Sequence, residues 1–192
     1  GAPAGQPALG GPAGAFVGRD QHRDVLVGHD LVHVLLVAVA GVGGDRLGPL
    51  IDPGPLDQRP ARRLPDYGLI YSIAPLSRDL TIAGNVRLTL HVQSDCPDTD
   101  FIAKLVEKHP DGRALLLMDG VTRAMYREPT AGPQPLSPDR VYPVTIDLGH
   151  IHHTLGAGSR IEVDVTSSNF PRRARNTNSG NPVLANDTEN DI

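Results

Sequence analysis

Tryptophan is absent, cysteine occurs once, and aromatic residues make up 4% of the 192-residue chain. Carbohydrate platforms and base-stacking surfaces are built from flat π faces, so this composition weakens both readings. With Cys96 alone there is no intramolecular disulfide, and a lone thiol outside any motif belongs to packing or surface, which leaves the redox compartment open. The formal net charge of −4 comes with no basic patch, so no long-range field draws a phosphate backbone and nucleic acid is not expected as a partner. Long apolar runs are also missing. The longest, Leu31 to Val42, carries His33 and falls well short of the roughly 20 residues of a membrane helix, so no membrane span is expected. The opening GAPAGQPALGGPAGAF has no charged n-region and does not read as a secretory signal.

What is present divides the chain in two. Residues 1 to about 50 hold more than half of the glycines, no Lys and no Glu, and they lack sustained periodicity outside the Leu31 run, which reads as a strand or a short helix. Such composition buries too little apolar surface to offset the entropy of ordering. The expectation is a Gly/Pro/Ala-rich extension over residues 1–55, poorly ordered or non-native (a misread or out-of-frame stretch), followed by one domain over 56–192. Limited proteolysis tests that division.

From about Leu64 the pattern changes to short alternating runs ended by turn residues. In VRLTLHVQ, Val86, Leu88, Leu90 and Val92 point one way and Arg87, Thr89, His91 and Gln93 the other, as a half-buried strand requires. Ile161, Val163 and Val165 alternate with Glu162, Asp164 and Thr166, and Tyr142, Val144, Ile146 and Leu148 give a third set, implying a sheet with one wet face. Phe101 to His109 fits helix or strand by its spacing alone. Asp98 before it and Pro110-Asp111-Gly112 after it favour the first arm of a β-hairpin returning through Ala114 to Met118. Asp119-Gly120 reads as a further turn before Val121 to Arg127, and Pro129 to Pro138 as a crossing loop. Several strands with no convincing long helix predict an all-β, antiparallel two-layer β-sandwich, with a jelly roll as the leading topology.

The search for chemistry returns weak candidates. No G-x-S-x-G elbow occurs. Gly156-Ala157-Gly158-Ser159 reads as a turn, and Thr177-Asn178-Ser179-Gly180 lacks the spacing. His150, His152 and His153 form the one local histidine cluster, but no second ligand group completes a tetrahedral set, so a solvated turn is the better account. Asp95, Asp98 and Asp100 could hold a hard cation such as Ca²⁺, yet no turn glycine or downstream Glu supports an EF-hand, and Asx-type turn bonds at Asp98 and Thr99 explain them more simply. Ala40 to Gly44 lacks the Lys-Ser/Thr of a phosphate loop. Phe170 with Arg172, Arg173 and Arg175 either takes an anion or closes the sandwich end, Phe170 as plug and the arginines on carbonyls and nearby aspartates. No catalytic, cofactor-binding or metal-ligating residue is assigned, and no cofactor is expected.

Leu56-Asp57-Gln58-Arg59-Pro60, Tyr71-Ser72-Ile73-Ala74-Pro75-Leu76, Asp98 to Leu105 and His109 to Ala114 occur in this order. They are followed by Asp119-Gly120-Val121, Arg123, Tyr126-Arg127-Glu128, Tyr142, Val144 to Leu148 and Val163 to Arg172. Over about 57–182 this series resembles the C-terminal jelly-roll domain, galactose-binding-domain-like, of the family of cocaine esterase, α-amino-acid ester hydrolases and X-Pro dipeptidyl-peptidases. The resemblance implies a serine hydrolase in which an α/β-hydrolase domain with a Ser, Asp and His triad and a helical cap precede this β domain. None of the triad falls on a position of this sequence. The implied role is a non-catalytic β domain, expected to be inactive alone, with the α/β-hydrolase domain as the partner packed on it. Relatives continue past Asp191-Ile192, so the sandwich is expected to be incomplete at its C-terminus, with an unpaired edge. The rival reading is a free-standing jelly-roll binding module for a carbohydrate or protein ligand.

Overall fold

A computed structural model describes residues 56–64, 67–170 and 172–182 in full and the backbone of four short strands before them, and among these residues it is built from ten strands and two 3₁₀ turns. The strands are β1 (Phe16–Gly18), β2 (Asp24–Val25), β3 (Val27–Gly28), β4 (Leu31–Val37), β5 (Leu69–Ser72), β6 (Leu80–Gln93), β7 (Asp100–Lys108), β8 (Ala114–Arg123), β9 (Tyr142–Leu155) and β10 (Arg160–Thr166). They form a six-stranded sheet, β2-β1-β5-β10-β7-β8, and a four-stranded sheet, β3-β4-β6-β9. All pairs are antiparallel except β4 with β6, which run parallel from Val32 opposite Leu88 to Val37 opposite Gln93. The Leu31 run is thus a strand. Backbone pairing carries β1 onto β5 and β4 onto β6, while Ala40 to Gly44 lies outside the described residues.

The core lies between the sheets, as the alternation predicts. Leu88, Leu90 and Val92 of β6, Tyr142, Val144, Ile146 and Leu148 of β9, Phe101, Ala103 and Leu105 of β7, and Val163 and Val165 of β10 belong to one buried cluster. A fully buried Leu such as Leu90 contributes about 2 kcal/mol through the water it sheds.

Two expectations are corrected. Asp119-Gly120 is not a turn; β8 runs straight through it. A glycine inside a strand marks close approach of another backbone, and a Cβ on Gly120 would lie 2.5 Å from the carbonyl oxygen of Asp147 on β9. The outer face of β7 and β10 is not wet either. Asp164 is 0% exposed, and Ile102, Lys104, Val106, Glu162 and Thr166 on the same face are buried with it.

What covers that face is a strap, residues 56–64 with Tyr67. It begins on the rim of β8, where the Gln58 N–H donates to the Ala114 carbonyl (2.7 Å) and the Leu116 N–H to that of Leu56 (2.9 Å). A 3₁₀ turn, Ala61–Arg63, then brings Arg62 over β10. Its Nε and Nη2 donate to the two carboxylate oxygens of Asp164 (2.9 and 2.6 Å) and its Nη1 to Glu162 (2.6 Å). The Tyr67 hydroxyl donates to Asp164 at 2.8 Å, and Lys104, opposite Asp164 on β7, lies 5.4 Å from the Tyr67 ring centre. Burial pulls the Arg62 guanidinium pKa down, but its bonds to Asp164 and Glu162 outweigh that and raise it.

Candidate functional site

β8 and β9 each stand at one edge of their sheets, and they face one another. At one end they are pinned: the Thr122 hydroxyl donates to the Thr145 carbonyl at 2.9 Å, and Gly120 lies against Asp147. At the other end each strand carries a bulge. Leu105 pairs with Met118 but Val106 with Leu116, which leaves Leu117 as the extra residue; Val86 pairs with Gly149 but Arg87 with Asp147, which leaves Leu148. Gly149 supplies the positive φ of +94° that the second bulge uses. Bulges bend an edge and interrupt its ladder, which protects it against pairing with another chain.

The strands therefore diverge into a groove of about 510 Å³. Leu116, Leu117, Met118, Leu148 and Ile151 make its apolar walls, and Asp119, Arg172, His152 and His153 its polar rim. Arg172 folds back onto the rim, with Nη2 3.2 Å from Asp119, and the Asn169 amide donates to the other Asp119 oxygen at 2.9 Å.

His153 joins the groove to a second cluster. It projects from β9 toward Glu107 of β7, Nε2 to Oε2 2.9 Å, and thus bridges the two sheets. His109, from the β7–β8 turn, brings its Nε2 to 3.6 Å from the same oxygen, and that nitrogen is buried without a hydrogen bond. Ser159 also hydrogen-bonds the carboxylate. Burial would raise the Glu107 pKa; the bonds from His153 and Ser159 and the nearby imidazoles outweigh it and hold Glu107 below its usual 4.5.

Ser, Glu and His thus meet in the wrong order for nucleophilic catalysis. A triad places the histidine between hydroxyl and carboxylate so that the imidazole takes the proton. Here the carboxylate is in the middle and Ser159 is 2% exposed. Among the described residues no group of three His, Cys, Asp or Glu side chains could hold a metal ion.

The histidine cluster lies on β9, not in a turn: His150 and His152 face solvent and His153 faces inward. Asp98 does not make an Asx turn with its neighbours. It is fully buried, accepts from Arg123 Nε and from the Met125 N–H (2.9 Å), and shares the Asn176 amide with Asp100 (2.9 and 2.8 Å). Asp95 accepts from the half-buried Cys96 thiol, whose pKa burial pushes up. Phe170 does not plug the sandwich; it is 43% exposed, with the Arg175 guanidinium 5.5 Å from its ring centre. Gly156 to Ser159 forms the expected turn before β10, with the Ser159 N–H donating to the Gly156 carbonyl at 3.1 Å. Thr177 to Gly180 is a loop in which Asn178 has φ +65°. Sequence reasoning missed Glu107, whose partner His153 is 46 residues away, and the groove itself, since both bulges sit inside runs of ordinary strand residues.

Comparison with known proteins bears on what this arrangement does. Residues 16–190 match the family model described as the X-Pro dipeptidyl-peptidase C-terminal non-catalytic domain. The cocaine esterase of Rhodococcus sp. (strain MB1 Bresler) is 40% identical over 151 residues, which cover 79% of this chain and 26% of the esterase. An aminopeptidase from a marine sediment archaeon, Thaumarchaeota archaeon, superposes with a TM-score of 0.67 at 30% identity, covering 71% of this chain and 24% of that one. An α-amino acid ester hydrolase superposes with a TM-score of 0.61 at 26% identity over the same shares. The chain spans about a quarter of the length of each of these relatives.

Proposed function

Since the chain belongs to the family of the X-Pro dipeptidyl-peptidase C-terminal non-catalytic domain, we propose that it is the β-sandwich accessory part of a serine hydrolase whose α/β-hydrolase domain packs over the β8/β9 groove. The observation that carries this reading is the match over residues 16–190 to a domain described as non-catalytic, with a relative of which the matched stretch covers 26%. The parent enzyme cleaves ester or amide bonds through an acyl-enzyme. The groove is the favoured footprint because, among the described residues, the outer sheet faces are covered or polar. The strap covers the outer face of the six-stranded sheet, and the outer face of β6 and β9 carries polar pairs such as Arg87–Asp147 and Thr81–Thr154.

The test is enzymatic and associative. The purified chain is expected to leave p-nitrophenyl acetate and an X-Pro p-nitroanilide intact and to take no label from a serine-directed fluorophosphonate. It is also expected to bind a separately produced α/β-hydrolase region of a family member and to raise that region's thermal stability. Turnover with labelling by the chain alone would overturn the reading. Binding of a soluble glycan or peptide in the groove, with no affinity for the hydrolase region, would instead favour a free-standing jelly-roll module.

We further propose, on composition, that the stable unit begins at residue 56. Limited proteolysis that leaves a folded 56–192 core supports it. Equal protection of 16–37 would extend the domain to the start of the family match.

A further inference from the structure

We propose that Glu107, His153 and His109 form a proton-operated clasp between the two sheets, which holds the β8/β9 groove closed at its inner end while Glu107 is charged and releases it when Glu107 is neutralised. His153 is at once a wall of the groove and the partner of Glu107 at 2.9 Å. Glu107 sits on β7 in one sheet and His153 on β9 in the other, so this bond ties the sheets together where the edge strands diverge. The carboxylate is buried, 5% exposed, and so is poorly screened.

The groups that face Glu107 are few. His109 comes from its own hairpin turn, His153 from β9 and Ser159 from the turn before β10. Its cross-strand neighbours, Leu115 on β8 and Ile161 on β10, are uncharged. The other charges of the hairpin are committed locally: Lys108 Nζ donates to the Gly112 carbonyl at 2.6 Å, and Arg113 Nε to Asp111 at 2.7 Å. Arg160, at the start of β10, is exposed and reaches the Ile73 carbonyl.

While charged, the carboxylate takes the His153 N–H, and a cationic imidazole at either position strengthens the hold. Once it is protonated, the charge that holds the His153 N–H is gone, the bond falls to a neutral one, and the tie between the sheets weakens. The sign follows from Glu107. Its folded-state pKa lies below the ordinary 4.5, so its contribution is present above that value and is lost as pH falls through the folded one. The clasp is a property of the domain alone and stands or falls apart from what covers the groove.

The experiment is residue-resolved amide hydrogen exchange of the full chain from about pH 7 to about pH 3.5, corrected for the intrinsic exchange rate, with circular dichroism reporting on the sheets. Protection at Met118 and Ile151 is expected to fall about tenfold in acid while that at Leu90 and Val144 stays level. Glu107→Gln keeps the shape and loses the charge; it is expected to show the low groove protection already at neutral pH and no acid step. If that variant does not fold, His109→Ala combined with His153→Gln removes both imidazoles and keeps Glu107, and the step is expected to vanish. Groove protection that holds until the core itself unfolds, or a wild-type step in either variant, overturns the clasp.

Discussion

β8 borders two regions built on opposite terms. On the outer side of its sheet the strap closes over charge: Asp164 and Glu162 are buried, and the half-buried Arg62 donates to both. In the gap between β8 and β9, leucines, a methionine and an isoleucine line an open groove. This sandwich separates closure from contact. A desolvated ion network gains little net stability, because the cost of burying charges rivals their attraction. It does fix one docking position for the strap, since any slip leaves a charge unpaired. Apolar walls carry no such positional demand, and they are what a partner can cover with a gain in free energy.

Breaking the closed side gives the largest effect. Asp164→Ala leaves Arg62 with Glu162 alone and takes the acceptor from Tyr67, so unfolding in urea at neutral pH is expected to show a loss of about 3 kcal/mol. A loss under about 1 kcal/mol would mean that the strap is held by its backbone bonds to β8. Next is the pinned corner. Gly120→Ala places a methyl group 2.5 Å from a carbonyl oxygen that only backbone movement can relieve. A cost of about 1–3 kcal/mol is expected, together with faster amide exchange at Thr122. Leu117→Asp tests the open side itself. Leu117 is partly buried on a bulge, so its stability cost is expected to stay near 1 kcal/mol or less, while binding to a hydrolase region is lost. Unchanged binding would move the footprint elsewhere.

How much of this was legible follows from the range of each interaction. The alternation of Tyr142 to Leu148 and of Val86 to Val92 named the inward residues, because period 2 is a local property of a strand. The same alternation misjudged Glu162 and Asp164. Their cover is Arg62, about a hundred residues earlier, and nothing in RIEVDVT reveals which elements pack on its polar side. Asp119-Gly120 misled for a related reason. The pair has the chemistry of a turn, and only the nearness of Asp147 shows that the glycine serves close approach instead. The family, by contrast, was legible, because an ordered series of short matches does not depend on knowing which residues touch. The groove was not, since bulges at Leu117 and Leu148 are register events between strands.

A last test concerns whether closure by charge is always balanced. Around Arg123 it is not: Asp98 and Asp100 both approach the same guanidinium and the same Asn176 amide. Burial raises the Asp100 pKa, the Asn176 bond lowers it, Asp98 raises it further and Arg123 lowers it, and the balance is upward. A carboxyl whose folded-state pKa lies above its unfolded one favours the fold when protonated. Its stabilising contribution is therefore present in acid and is lost as pH rises through the unfolded value, an ordinary 3.8, toward the folded one. Asp100→Asn keeps the acceptor for Asn176 and deletes the surplus charge. The expected result is the smallest in the series, a gain below about 1 kcal/mol at neutral pH that shrinks to nothing near pH 3. A loss at neutral pH would instead make Asp100 a needed counter-charge to Arg123, and would put this corner in the same class as the strap.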